Sequence, residues 1–332
     1  MRPAFLVRAL VLAAAVLALP VTPALAAPRL TPETVNGAAF AEPKEGETSP
    51  VLLRAQVLLD RARFSPGVID GRFGSNMERA VKAFARAQGL PETPRLTPEL
   101  YDRLVQGAPE PALVPYKITP EDVKGPFARK IPAKMEDMAD LDRLAYREPE
   151  EGLAEKFHTS IELLKSLNPG RSLDEAGSVI QVPNVASAPD EAMKGRVTRV
   201  EVDKPRLELR AFDEAGALVA SYPASIGSEE KPAPSGTHRI EAVALNPTYT
   251  YNPDYAFKGV KAKEKFTIKP GPNNPVGSVW IDLSLESYGI HGTPEPDRVG
   301  KAYSHGCVRL TNWDARSLAH MVKRGSPVDF LE

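Results

Sequence analysis

One cysteine, Cys307, occurs in 332 residues. A lone cysteine cannot close an intramolecular disulfide, so a disulfide scaffold is excluded and the thiol calls for either a buried-core or a chemical explanation. Net charge is nearly absent as well: 42 lysines and arginines against 43 aspartates and glutamates leave −1. That balance removes the global electrostatic pull of a nucleic-acid-binding or acidic-membrane-binding chain, and no nucleic-acid partner is expected. Long apolar runs are also lacking. The run Ala9 to Leu19 falls short of the ~20 apolar residues that span a bilayer, and no later stretch approaches that length.

What the chain does have begins at its amino terminus. Arg2 and Arg8 precede the short apolar run, which ends at Pro20 and leads to Ala24-Leu25-Ala26. A basic segment, a short apolar segment and a small-x-small site describe a secretory signal peptide over 1–26, with cleavage after Ala26. An uncleaved anchor is the alternative. The expected location is across the inner membrane, in the periplasm or cell wall, with no transmembrane anchor left after cleavage. Export sharpens the cysteine argument, because oxidising compartments favour paired cysteines and an unpaired one is a liability unless used or buried.

The 33 prolines cluster, and the clusters read as joints between modules. Residues 27–49 lack apolar periodicity and read as a flexible leader. In 50–107, Val51, Leu52, Ala55, Leu58 and Leu59 recur at helical spacing, as do Ala80, Val81, Phe84 and Ala87, with Ser75 a candidate N-cap and Gly89 a stop. Thr97-Pro98 opens a third helix as N-cap and N1. A linker at 108–113 leads to 114–185, where a strand at Val114–Ile118, helices at Leu153–Phe157 and Ser160–Leu167, and a strand at Ser178–Pro183 are predicted. Thr159-Ser160-Ile161-Glu162 is a capping-box pattern. After a second linker, 186–195, residues 196–332 turn to β. Val200 and Val202 alternate, then Leu207 and Leu209, with Leu218–Tyr222, Val279–Leu283 and Val328–Phe330 as further strands and one helix near Trp313–Lys323 capped by Asn312. The fold class is multidomain α+β.

Two of these modules resemble known ones. The loop Asp70-Gly71-Arg72-Phe73-Gly74 opening the second helix resembles the peptidoglycan-binding-like domain over roughly 50–107; a generic helical bundle whose glycines only permit turns is the plainer alternative. Leu153 to His158, then Leu167-Asn168-Pro169-Gly170, then Ile180 to Asn184 resemble a LysM module, a βααβ glycan binder, here with an unusually long insertion at about 119–147. A spacer that packs without binding sugar is the alternative there.

The chemistry concentrates in Ser304-His305-Gly306-Cys307-Val308-Arg309-Leu310 and in His291, sixteen residues before the thiol. A free thiol is only a few per cent thiolate at neutral pH, and an imidazolium partner would make the thiolate the majority form. His305 leaves an extended segment on the same face as Cys307, while His291 sits at a strand end and approaches from a neighbouring strand. Gly292 and Gly306 would let backbone pass close to a substrate, and an amide at 306 or 307 would face a developing oxyanion. Arg309 suits a carboxylate. Together these residues point to acyl transfer on a substrate bearing a carboxylate.

At this point the pattern resembles the L,D-transpeptidase (YkuD-type) catalytic domain over most of 196–332. Pro234-Ser235-Gly236-Thr237, Gly271 to Gly277 and Ile290-His291-Gly292-Thr293-Pro294 support it. The resemblance implies a β-sandwich with Cys307 as nucleophile and His291 as general base, its ring held by a backbone carbonyl near Gly292. It implies that His305 and amides near Gly306 and Cys307 shape the oxyanion site, and that Arg309 and Ser304 lie with the substrate. The partners implied are peptidoglycan stem peptides and glycan strands, with the thioester resolved by an amine on a second stem peptide or on a lipoprotein, giving a 3→3 cross-link in the first case. No cofactor or metal is expected.

Other readings compete. Cys307, His291 and His305 could ligate zinc. A papain-like order is disfavoured because the histidine comes first here. Hydrolysis, by an L,D-carboxypeptidase or endopeptidase of the same fold, uses the same acylating residues. A non-catalytic wall-binding protein is the reading from another class.

Overall fold

The protein is described by a computed structural model covering residues 29–44, 46–185, 191–228, 231–255, 260–302, 304 and 306–332. The segment read as a signal peptide, the first half of the second linker and His305 lie outside these residues. Among the described residues no helix is long and apolar enough to cross a membrane.

The described part of the segment read as a flexible leader carries a short helix packed against the rest of the chain. Helix α1 (Pro32–Asn36) starts at Thr31 in a reciprocal cap with Thr34. Val35 is fully buried, and the Asn36 amide bonds both ways to the backbone of Leu113, at 2.9 and 2.8 Å. Helices α2 (Pro50–Arg61), α3 (Ser75–Ala87) and α4 (Pro98–Gly107) then enclose an apolar cluster that includes Leu52, Leu58, Leu59, Met77, Val81 and Leu104. The Thr97 side chain caps α4 by accepting from Leu100 N. Ser75 is the first residue of α3 rather than its cap. Gly74 holds that place with no side-chain bond.

The next region pairs strand β1 (Leu113–Lys117) antiparallel with β2 (Val179–Pro183). Between them run α5 (Pro120–Lys124), α6 (Met135–Met138), α7 (Pro149–Lys156) and α8 (Ile161–Leu167). Helix α8 is capped by Ser160, whose hydroxyl accepts from Leu163 N, one residue later than the capping-box pattern placed it. The apolar cluster here is shared between modules: Leu53, Val57 and Ile69 pack with Leu153, Leu164, Ile180 and Val182.

The remaining strands are β3 (Arg199–Asp203), β4 (Glu208–Phe212), β5 (Leu218–Pro223), β6 (Ser225–Ile226), β7 (Gly236–Leu245), β8 (Tyr249–Tyr251), β9 (Phe266–Ile268), β10 (Val279–Leu283), β11 (Gly289–His291), β12 (Val308–Arg309) and β13 (Pro327–Leu331), with one long helix, α9 (Asn312–Met321). All but β8 and β9 form a nine-stranded sheet in the order β5-β4-β3-β13-β7-β10-β11-β12-β6. Only Ala224 separates β5 from β6, which lie at opposite ends of that order, so the sheet must curl back on itself. The long β7 makes the turn, pairing with β13 through residues 236–239 and with β10 through 240–245. Inside the curl, alternate residues Val200, Val202, Leu209, Ala211, Ile281, Ile290 and Val308 meet Ala315, Leu318 and Met321 of α9 in one core. Strands β8 and β9 form a separate hairpin.

The three regions interlock. Ser65 N donates to Ser221 O and Ser221 N to Arg63 O, both at 2.9 Å, so the first module adds a bridge to the free edge of β5. The inserted segment after α5 lies along the catalytic-domain stretch 261–273. Glu136 Oε1 accepts from the amides of Lys261 (3.0 Å) and Ala262 (3.2 Å), and Asn273 Nδ2 donates to Ala145 O at 2.9 Å.

Candidate active site

Strand register assembles the site. Trp280 pairs with His291 across β10 and β11, and His291 with Arg309 across the parallel pair β11 and β12. With Ile281, Ile290 and Val308 turned into the core, alternation puts Trp280, Gly289, His291 and Arg309 on the opposite face. Cys307, two residues before Arg309, emerges opposite Gly289. Its Sγ lies 3.6 Å from Ser287 O.

His291 is 4% exposed and stacks on the Trp280 indole, ring centres 5.5 Å apart. Its Nδ1 lies 2.6 Å from Gly292 O. A carbonyl only accepts, so Nδ1 carries the hydrogen and Nε2 keeps its lone pair for another proton. Burial, reinforced by the Arg309 guanidinium, pulls the His291 pKa down from 6.5 to about 3. Burial also pushes the Cys307 thiol up, against the Gly289 amide and Arg309, which favour the thiolate. These directions reverse the expected thiolate–imidazolium pair. The resting site holds a thiol and a neutral imidazole, suited to proton transfer during attack.

The segment carrying the thiol is pinned by its backbone. Ser304 N donates to Gly227 O at 2.9 Å, and the Ser304 hydroxyl donates to Cys307 O. Gly306 has φ 106°, where a side chain would be strained, and a Cβ there would stand 3.1 Å from the Tyr288 ring, a tight approach. Gly292 is a glycine for a different reason from the one expected: a Cβ there would lie 2.1 Å from Asn312 Oδ1, so the close neighbour is a protein side chain.

Of the residues singled out in the sequence, the structure gathers Cys307, His291, Gly292, Gly306, Ser304 and Arg309; His305 lies outside the described residues. Sequence reasoning assigned Asn312 to the cap of α9, but Thr311 does that work by accepting from Asp314 N at 3.1 Å. The Asn312 amide instead accepts from Ser278 N (2.9 Å) and donates to Glu155 Oε2 (2.9 Å) and Pro272 O (3.2 Å). Tyr249 also reaches the site from the β8–β9 hairpin. Burial and the nearby Cys307 push its hydroxyl up to about 12. From sequence, Trp280 and Tyr249 are candidates to line a substrate groove, with a core place the commoner one for aromatics in a β-rich domain.

Residues 197–329 match the family of L,D-transpeptidase catalytic domains, and residues 48–104 a family of provisionally assigned peptidoglycan binding domains. A Bacillus licheniformis protein provisionally named L,D-transpeptidase YkuD is 32% identical over 180 residues, which cover 54% of this chain and 90% of that protein. The chain belongs to the L,D-transpeptidase family, an enzyme class, with a peptidoglycan-binding domain ahead of the catalytic one. An Escherichia coli K12 protein provisionally named L,D-transpeptidase YbiS is 28% identical over 190 residues, 56% of this chain and 60% of that protein, so the chain spans less than two thirds of that relative. The solved L,D-transpeptidase (residues 123–326) from Xylanimonas cellulosilytica aligns at 16% identity with a TM-score of 0.37, over 88% of this chain and 98% of that one, a similarity from which no residue equivalence is drawn.

Proposed function

We propose that the protein is an exported, cysteine-dependent peptidoglycan L,D-transpeptidase that forms 3→3 cross-links outside the cytoplasm. The observation that carries this reading is the sole thiol, Cys307, on one sheet face with a neutral His291 whose Nδ1–H is committed to Gly292 O. In the first half-reaction the Cys307 sulfur attacks the carbonyl of the third stem-peptide residue while His291 Nε2 takes the thiol proton. The carbonyl oxygen becomes an oxyanion facing amides near Gly306 and Cys307, a role to which the family resemblance also assigns His305. Collapse expels the terminal D-alanine, whose amine receives the proton from His291, and leaves a thioester. In the second half-reaction an amine of another stem peptide, or of a lipoprotein, attacks the thioester. His291 accepts that amine's proton and returns one to the departing Cys307 sulfur, restoring the thiol. Arg309 holds a substrate carboxylate, and Ser304 keeps the thiol segment in register. The helical module and the LysM-like region, in which α7 and α8 precede β2 but α5 and α6 are inserted after β1, engage the glycan strands.

The test is incubation with purified disaccharide-tetrapeptides followed by mass spectrometry. Dimers that have lost one D-alanine are expected from the parent protein and absent from Cys307→Ala. Full activity in Cys307→Ala would overturn the mechanism, and shortened monomers without dimers would assign the chain to hydrolysis.

A further inference from the structure

The middle region supplies a half-buried carboxylate that bonds to the catalytic domain and that nothing in the acyl-transfer chemistry uses. Glu155, in the last turn of α7, accepts from Tyr146 Oη at 2.8 Å through one oxygen and from Asn312 Nδ2 at 2.9 Å through the other. Asn312 belongs to the catalytic domain, and its remaining Nδ2 hydrogen goes to Pro272 O while Oδ1 accepts from Ser278 N. With Nδ2 facing acceptors and Oδ1 facing a donor, the amide has one orientation that satisfies it; a flip would set oxygen against the Glu155 carboxylate.

That orientation matters because of what Oδ1 touches. It packs between Gly277 and Gly292, 2.1 Å from where a Cβ on either would stand. Gly292 carries the carbonyl that accepts from His291 Nδ1 at 2.6 Å. A continuous line of contacts therefore runs from Glu155 to Asn312, to the backbone of Gly292, to the imidazole. Since Thr311 already caps α9, the Asn312 side chain is free of that duty and joins Glu155 to the Ser278, Pro272 and Gly292 backbone.

We infer that Glu155 is a positioning residue for the catalytic base, supplied by the middle region and acting through Asn312 and Gly292. The inference rests on the reading of His291 as the base for Cys307. Without the carboxylate, the Asn312 amide loses the shorter of its two Nδ2 acceptors and is left to Pro272 O and Ser278 N, the Gly292 carbonyl is held less firmly, and the imidazole samples poses away from the thiol. Because a misplacement of 1 Å at a reacting group can cost about a hundredfold in rate, a partial loosening is expected to cost about tenfold.

The experiment follows Cys307 acylation by imipenem in the full chain by intact-mass spectrometry, separating the acylation rate constant from the concentration giving half-saturation. Glu155→Ala is expected to lower the rate constant about tenfold with the half-saturation concentration unchanged. Glu155→Gln, which keeps an acceptor for Asn312 and a polar partner for Tyr146, is expected to recover most of that loss. Should Glu155→Ala fail to fold, Glu155→Met fills the space without an acceptor of comparable strength and takes its place. A parental rate constant in the folded Ala or Met variant, or a change in half-saturation alone, overturns the inference. His291→Ala run in parallel separates the two readings. A parental rate there overturns the general-base assignment and this inference with it, whereas slow acylation in His291→Ala beside a parental rate in Glu155→Ala overturns only the role of Glu155.

Discussion

Asp314 sits where two modules meet the catalytic helix, and its protonation is expected to set a pH dependence of stability. The residue lies in the first turn of α9, 3% exposed, and accepts from Ser65 Oγ at 2.9 Å. A helix N-terminus favours a carboxylate, but burial, joined by the nearby Asp60 carboxylate, overrides it and raises the Asp314 pKa from 3.8 to about 7. Folding then takes up a proton between those values. This group's contribution to stability is complete below pH 3.8 and is lost as pH rises to about 7, amounting to about 4 kcal/mol at most. Asp314→Asn removes the titration. Urea unfolding followed by tryptophan fluorescence, for parent and variant at half-unit steps from pH 5 to 8, reads the titration of Asp314 together with its coupling to Asp60 and His158, since groups remote from it titrate alike in both proteins. The variant is expected to gain about 2–3 kcal/mol relative to the parent across that window, most of it below pH 7. A parent–variant difference that stays flat from pH 5 to 8 would refute the reasoning, since it would mean that Asp314 is ionised throughout.

Two further perturbations probe the same seam. His158 Nδ1 pairs with Asp60 Oδ2 at 2.9 Å, and its ring stacks on Trp313 with centres 5.0 Å apart, so His158→Ala leaves a buried carboxylate without that partner. A loss of about 3 kcal/mol is expected in urea unfolding, with Asp60→Asn recovering part of it in a double-mutant cycle; strict additivity would show that the two side chains do not interact. Asn273→Ala removes the donor to Ala145 O, a carbonyl in a buried position, and should cost about 1–3 kcal/mol in the same assay. An unchanged urea midpoint would mean that the inserted segment is not held there by this bond.

What the sequence disclosed is what local pattern encodes. The thiol segment was legible because a histidine, a glycine, the one cysteine and an arginine fall within five residues, 305–309, and β3, β4 and β10 because their apolar residues alternate. Strand β7 was missed for the converse reason: of its ten residues only Ile240 is buried, so a strand that turns the whole sheet carries almost no apolar alternation. Asn312 looked like a helix cap because that is what an asparagine at a helix start ordinarily does. Its partner Glu155 is 157 residues away, and no spacing rule reaches so far. His158 takes φ 53°, a left-handed conformation that propensity would not assign to histidine, and it does so where its carbonyl accepts from Ile69 N at 2.8 Å. The expected thiolate was reversed because burial is a property of the assembled fold, and burial is the largest influence on both Cys307 and His291.

The joints between modules bear on what the amino-terminal half is for. If those modules served only to tether, their contacts with the catalytic domain would be few and solvated, as across a flexible linker. Instead, residues 63–65 extend the edge of β5, Ser65 and Asp60 face the start of α9, and the Asn76 amide donates to Val299 O at 2.9 Å on the far side of the same module. Leu53, Val57 and Ile69 share a core with the middle region, which in turn sends Glu155 to Asn312 and Glu136 to the connection between β8 and β9. Buried polar contacts of this kind add little net stability, but each is costly to leave half-made, so they fix one relative arrangement of the parts. The consequence is that, on the function proposed above, glycan engaged by the amino-terminal half would be presented to Cys307 from a fixed direction, with the middle region supplying a hydrogen-bond partner, Glu155, to Asn312 of the catalytic domain.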